Sequence, residues 1–149
     1  MIDVFNSPSC CIGGVGETFG EAHLRAFIVK VLNDLIDFFN VGKTMGAYQV
    51  AQTADLIIDE YSLLKPDDLK LCFNNAKAGK YGKVYDRIDG QVIMEWLRVY
   101  RTERCNIAEE SSIQESEKFK NDPYRRTSET LSEAHHQFRK YDFNRKFKV

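Results

Sequence analysis

The sequence predicts an all-α fold, namely a single helical-bundle-like domain of four or five helices with a polar helical C-terminal extension. Apolar residues recur at the i, i+3, i+4, i+7 spacing of amphipathic helices over most of the chain. Residues that start and stop helices stand between these stretches. The chain has 149 residues, the size of one domain that buries a core without metals or disulfides.

The N-terminal 16 residues have no sustained apolar period. Pro8 and three glycines predict a flexible lead over 1–16. A first long helix is predicted over 17–40, closed by Gly42 at the position after the helix end. It opens the helical core domain, which we expect to span 17–104. The apolar stripe of this helix consists of Leu24, Phe27, Ile28, Val31, Leu35 and Phe38.

Four further helices complete the prediction. They cover about 45–62 after an N-cap at Thr44, 66–78 between Pro66 and Gly79, 90–119 after an N-cap at Asp89, and 127–141. Residues 84–88 suggest a brief extended piece, but no second strand is evident nearby. The predicted core contains Phe27, Val31, Leu35, Ile57, Leu69, Phe73, Ile93, Trp96 and Leu97.

The net charge of −1 is unevenly distributed. Residues 103–122 carry a balance of −3, and residues 123–149 carry +4. We therefore expect 105–149 to form a polar extension whose basic tail has its own electrostatic role or folds back on the acidic part. Without a signal-peptide pattern, a long apolar run or cysteine pairs, we expect a cytoplasmic protein with no membrane contact.

Several short motifs resemble catalytic or ligand sites and are better explained structurally. Gly42-Lys43-Thr44 matches the end of a phosphate-binding loop, but the first glycine is missing and no strand precedes it. Adjacent His135 and His136 lie on different helix faces and have no partner ligands nearby. The acidic pair 59–60 suits a solvated face, and the pair 67–68 compensates a helix dipole. We therefore expect no catalytic residues, no metal and no cofactor, and hence not an enzyme.

Two segments mix basic and aromatic side chains and are candidate binding surfaces. The first consists of Lys77, Lys80, Tyr81, Lys83, Tyr85 and Arg87. Lysines neutralise phosphates and tyrosines stack on unpaired bases, so the segment suits single-stranded DNA. The alternative is a structural role. The lysines would then interact with the dipole at the C-terminal end of a helix, and the tyrosines would pack the loop against the core. The second candidate is the C-terminal tail, with Arg139, Lys140, Arg145 and Lys146. The alternative is that this tail is only a solvated chain end.

Residues 39–104 resemble a family of short helical proteins of unknown function from gut bacteria and their phages and mobile elements. The specific runs are DDLKLCF at 67–73 and YGKVYDRIDGQVI at 81–93. The resemblance implies a setting near DNA replication. It favours a non-enzymatic helical adaptor in mobile-element or phage replication that binds DNA or a replisome protein. The alternative is a structural or regulatory protein-interaction module, or a homodimer, with no nucleic-acid contact.

Overall fold

The computed structural model describes residues 2–5, 7–39, 41–84 and 86–120, and this part of the chain is all-α. The predicted fold class is therefore confirmed. The described residues form no strand. Their one β-type contact is an isolated bridge between Lys43 and Arg87. The predicted helix over 127–141 lies outside the described residues. In chain order the helices are α1 (Ile2–Phe5), α2 (Ile12–Phe19), α3 (Glu21–Ile36), α4 (Ala47–Glu60), α5 (Pro66–Lys77) and α6 (Gly90–Lys120).

Helix α2 begins inside the segment for which the sequence predicted a loop. Ile12 is fully buried, and its N–H donates to the carbonyl of Leu64 at 2.7 Å, while the N–H of Gly13 donates to that of Ser62 at 2.9 Å. These bonds attach the first turn of α2 to the connector after α4. The loop prediction is therefore wrong for residues 12–16, because tertiary contacts outweigh the low helix propensity of the glycines. It is also wrong for Ile2–Phe5, which form α1.

The predicted helix over 17–40 is two helices that meet at Gly20. This glycine has φ = 90°, a backbone conformation that L side chains rarely adopt. The second of the two helices, α3, ends at Ile36, so Gly42 does not follow a helix end. Gly46 rather than Thr44 is the N-cap of α4. The sequence missed the break because the apolar period continues across it.

The core includes buried residues from each of the helices α2 to α6, and seven of the nine predicted core residues are buried. Phe27 is 39% exposed, which makes its prediction wrong. Val31 is only partly buried. The face of α3 that is buried carries Leu24, Ile28, Leu32 and Leu35, so Phe27 lies at its edge. The confirmed core residues are Leu35, Ile57, Leu69, Phe73, Ile93, Trp96 and Leu97.

The chain divides into two compact units between Ile107 and Ala108. The first unit contains the core. In the second, the structure describes the end of α6, whose apolar side chains Ile113 and Phe119 are 59% and 60% exposed. None of the described helices is both long and apolar enough to cross a membrane.

Candidate functional site

A cleft of about 900 Å³ lies between the connector that joins α5 to α6 and the first turns of α6. We call it the connector cleft. This volume is within the range of about 300–1,000 Å³ that is typical of ligand pockets. Its lining consists of Lys43, Lys80, Tyr81, Gly82, Lys83, Val84, Asp86, Arg87, Asp89, Gln91, Val92, Glu95, Trp96, Val99 and Glu103.

The connector cleft brings together four residues of the first predicted surface. Lys80, Tyr81, Lys83 and Arg87 all line it, whereas Lys77 does not. The Lys77 ammonium instead lies 5.1 Å from the centre of the Phe38 ring. Tyr85 and the predicted tail residues Arg139, Lys140, Arg145 and Lys146 lie outside the described residues.

The connector owes its path to two glycines and one backbone bridge. Gly79 and Gly82 have φ values of 78° and 100°, so the chain turns sharply after α5. The connector then pairs with the α3–α4 linker: Lys43 N–H donates to Asp86 O at 3.3 Å, and Ile88 N–H donates to Lys43 O at 3.1 Å. This contact is an isolated bridge of one residue, and neither segment forms a strand among the described residues.

Two aromatic side chains form the apolar floor of the connector cleft. The Tyr81 ring stacks on Trp96 with centroids 6.5 Å apart, and its hydroxyl accepts a 3.4 Å bond from the Asn75 side chain. Trp96 is 4% exposed, and the centre of its ring lies 5.8 Å from the centre of the Phe39 ring. Burial raises the pKa of Tyr81 above its usual range. Tyr81 thus attaches the connector to the core, the arrangement of the structural alternative.

The charges along the connector cleft are largely paired with one another. Lys80 lies 2.7 Å from Glu103, and Arg87 lies 3.3 Å from Asp89. The described lining residues include four bases and four acids. Lys43 and Lys83 make no ion pair with any residue that the structure describes. The cleft therefore presents two unpaired ammonium groups beside an apolar floor.

A buried polar network that the sequence did not predict lies under the start of α5. The Asp68 carboxylate is fully buried. It accepts bonds from the Tyr100 hydroxyl at 2.7 Å, the Arg104 guanidinium at 3.1 Å and the Lys65 backbone N–H at 2.9 Å. Pairing with Arg104 neutralises the buried charge, and the network joins α5 to α6. One signal in the sequence could have indicated this network. Tyr100 and Arg104 follow Trp96 at i, i+4 spacing, so all three lie on the same face of α6.

The burial and pKa of the Cys72 thiol are those of a structural rather than a nucleophilic cysteine. Cys72 is fully buried, and desolvation raises the pKa of its thiol to about 12, whereas a nucleophilic cysteine needs a lowered value. His23, the one described histidine, is exposed. The described residues contain no group of three or more His, Cys, Asp or Glu side chains that could hold a metal ion.

Comparisons with protein-family models, with curated proteins and with solved structures give no match to this chain. The resemblance of residues 39–104 therefore stays a prediction. The function is inferred from the geometry of the connector cleft.

Proposed function

We propose that this protein is a non-enzymatic adaptor that binds a partner protein through the connector cleft. The observation that carries the proposal is the apolar floor of Tyr81 and Trp96 beneath a rim of internally paired charges. Protein interfaces combine such an apolar, aromatic centre with a polar rim. The setting in mobile-element or phage DNA replication comes from the resemblance of residues 39–104.

The charge pattern favours a protein over single-stranded DNA as the occupant. Binding to a nucleic-acid backbone requires several cations that are free to neutralise phosphates. Two of the four bases in the connector cleft, Lys80 and Arg87, are already paired with Glu103 and Asp89. One face of the Tyr81 ring packs on Trp96 and is therefore not available to a base. Residues 1–120 contain 14 basic and 18 acidic residues, a balance of −4, which repels polyanions.

The same geometry supports a binding role over a catalytic one. General acid–base and nucleophilic catalysis depend on accessible groups whose pKa values are moved toward neutrality. Here burial raises the pKa values of Cys72 and Tyr81 away from neutrality. The buried carboxylate of Asp68 is engaged by three donors, so it is held as a structural group.

Site-specific photocrosslinking tests the proposal. A benzoylphenylalanine placed at Lys83 should give a discrete protein adduct in lysate of the source organism. The same group at Lys30, an exposed position of α3 outside the lining of the connector cleft, is the matched control. Excess unlabelled protein should compete the Lys83 adduct away. An identical adduct pattern at both positions would refute a partner site in the cleft.

The DNA version of the hypothesis has its own test. If the connector cleft binds single-stranded oligonucleotides, affinity falls steeply with salt and falls further when Lys43 and Lys83 become glutamine. We expect the opposite, namely no change in oligonucleotide affinity between these variants and Lys30→Gln at about 50 mM salt. A fluorescence-anisotropy titration distinguishes the two, and a selective loss in the cleft variants would return the assignment to DNA.

Self-association is the second candidate, and a specific surface favours it. Tyr48 and Leu56 on α4 are 75% and 47% exposed, and Leu63 beyond the helix is 83% exposed. Leu56 also lines a second groove of about 590 Å³. Exposed apolar side chains that form a contiguous patch mark protein–protein contact surfaces. Light scattering of the wild type against Leu56→Glu decides this: a dimer that dissociates in the variant supports it, and a monomer in both excludes it.

A further inference from the structure

Two adjacent cysteines lie at the N-terminus of α2, outside the lining of the connector cleft. Cys10 is exposed, Cys11 is half-buried, and both are free thiols. Cys11 is the N-cap of the helix, and its sulfur accepts a bond from the N–H of Gly14 at 3.5 Å. Neither cysteine belongs to the buried core, to which this helix contributes Ile12. The pair is therefore accessible to a small reactant from solvent.

Gly14 leaves the space in which the two sulfurs converge. The Cys10 sulfur occupies the position that a Cβ on residue 14 would fill, and the Cys11 sulfur lies 3.6 Å from that position. Both sulfurs therefore lie within 4 Å of a single point at the end of the helix. The two thiols are neighbours in space as well as in sequence.

The backbone determines what kind of disulfide this pair can form. The Cα atoms of adjacent residues are about 3.8 Å apart across a trans peptide bond. In relaxed disulfides the Cα atoms are usually about 4.4–6.8 Å apart. A bond between Cys10 and Cys11 is therefore strained, and strained or exposed disulfides are the ones that are readily reduced and that serve regulation.

We propose that Cys10 and Cys11 are a redox modification site at which a hydroperoxide closes a reversible disulfide between them. The exposed Cys10 sulfur attacks the peroxide, the O–O bond breaks, and the leaving oxygen takes the Cys10 proton, so that a sulfenic acid and an alcohol form. The Cys11 sulfur then attacks the oxidised Cys10 sulfur, whose hydroxyl leaves as water with the Cys11 proton. Two thiols and one hydroperoxide thus give one disulfide, one alcohol and one water. Two molecules of a small thiol such as glutathione restore the dithiol and are themselves oxidised to their disulfide.

This disulfide would act on the attachment of α2 to the rest of the fold. Closing the bond turns the Cys11 sulfur toward Cys10 and away from the Gly14 N–H that it caps. The new ring also constrains the backbone directly before Ile12, whose N–H donates to the carbonyl of Leu64 at 2.7 Å. We therefore expect oxidation to weaken the bonds that hold the first turn of α2 against the connector after α4.

Mass spectrometry of the full-length chain after treatment with tert-butyl hydroperoxide tests the site. We expect a loss of two hydrogens in the peptide that contains both cysteines, and dithiothreitol should reverse it. Cys10→Ser and Cys11→Ser should each abolish this loss, whereas Cys105→Ser, which removes the other exposed thiol, should leave it unchanged. A disulfide that joins two chains or includes Cys105, or no disulfide at all, would overturn the proposal.

Gly14→Ala tests the convergence of the sulfurs without removing a thiol. The new Cβ takes the position of the Cys10 sulfur, so that sulfur must move. Closure should then be severalfold slower, and dimedone should trap more of the sulfenic acid. Gly13→Ala is the matched control, because its Cβ would lie 3.5 Å from the Ser62 carbonyl oxygen, an ordinary contact, and within 4 Å of neither sulfur. Equal closure rates in the two variants would contradict the proposed geometry.

Hydrogen exchange measures the effect of the disulfide on the fold. The amides of Ile12 and Gly13 should exchange about tenfold faster in the oxidised protein than in the reduced protein, because their bonds open more often. The amides of α5, which contains neither oxidised residue, should exchange at the same rate in both forms. Cys10→Ser after the same peroxide treatment should show no change at either place. Unchanged exchange at Ile12 and Gly13 in protein that carries the disulfide would refute the effect on α2.

Discussion

Replacing Tyr100 with phenylalanine tests whether the buried Asp68 network contributes to the stability of the fold. The Tyr100 hydroxyl donates to the Asp68 carboxylate at 2.7 Å, and both side chains are fully buried. Phenylalanine keeps the ring and leaves no large cavity, so the change removes one hydrogen bond and little else. Burial and the neighbouring carboxylate raise the pKa of Tyr100 above its usual range, so the hydroxyl stays a donor at any ordinary pH.

The expected cost follows from the charge on the acceptor. Hydrogen bonds to charged groups contribute about 1.5–3 kcal/mol. Asp68 retains Arg104 and the Lys65 N–H, so the loss should lie near the lower limit, about 2 kcal/mol. For a chain of this length that corresponds to a fall in Tm of roughly 4–8 °C. Tyr48→Phe is the control, because Tyr48 is 75% exposed and its hydroxyl only accepts a bond from Gln52.

Urea unfolding followed by the fluorescence of Trp96, the single tryptophan, measures this difference. Circular dichroism of α-helix content on the same samples checks that unfolding is two-state. Adding Asp68→Asn completes a double-mutant cycle, in which we expect a coupling energy above about 1 kcal/mol. A loss in Tyr100→Phe no larger than in Tyr48→Phe, or additive losses in the cycle, would refute the proposed contribution of the network.

Three other changes have equally definite expectations. Gly90→Ala should cost about 1–3 kcal/mol in urea unfolding, since its Cβ would lie 2.6 Å from the Thr53 hydroxyl, and Thr53→Ala in the same chain should recover most of the loss; no recovery would contradict this contact. Ile12→Ala should cost about 2–5 kcal/mol because Ile12 is fully buried, whereas a flexible lead predicts almost none. The Cys72 thiol, with an ordinary pKa of 9.0 that burial raises to about 12, keeps its proton in the folded state after the unfolded chain has lost it. The contribution of this thiol to the free energy of unfolding is therefore complete below about pH 9 and is lost as the pH rises from about 9 to about 12. If the urea midpoint falls over this pH range as much in Cys72→Val as in the wild type, the expectation is contradicted.

The positions of the helices could be predicted from the sequence wherever one residue type dictates a boundary. Pro66 begins α5 and Gly79 follows its end as expected, because proline suits the first turn and glycine suits a positive φ. Gly20 has the same positive φ, yet it stands between two apolar periods that are nearly in phase, so nothing in the pattern marks it. The start of α2 was unpredictable for another reason: its stability comes from bonds to residues 62–64, about 50 positions away in sequence.

The candidate site was only half predictable for a related reason. The segment around Tyr81 and Lys83 was recognisable from its composition, but composition does not reveal which charges are already paired. The partner of Lys80 is Glu103 on α6, and the connector pairs with Lys43 from the α3–α4 linker. Both contacts join residues more than 20 positions apart, so they depend on the packing of the helices rather than on any local motif.

These pairings change how the basic residues of the chain should be interpreted. Residues 1–120 are acidic overall, with a balance of −4, and residues 123–149 carry +4. Within the connector cleft, two of the four bases are neutralised by their own neighbours, whereas Lys43 and Lys83 make no ion pair with any residue that the structure describes. A polyanion that reached these two lysines would also meet the net negative charge of residues 1–120, and this repulsion is the reason that the proposed partner is a protein and not DNA. The proposed binding of a partner protein at the connector cleft therefore depends on the apolar floor of Tyr81 and Trp96 together with these two lysines.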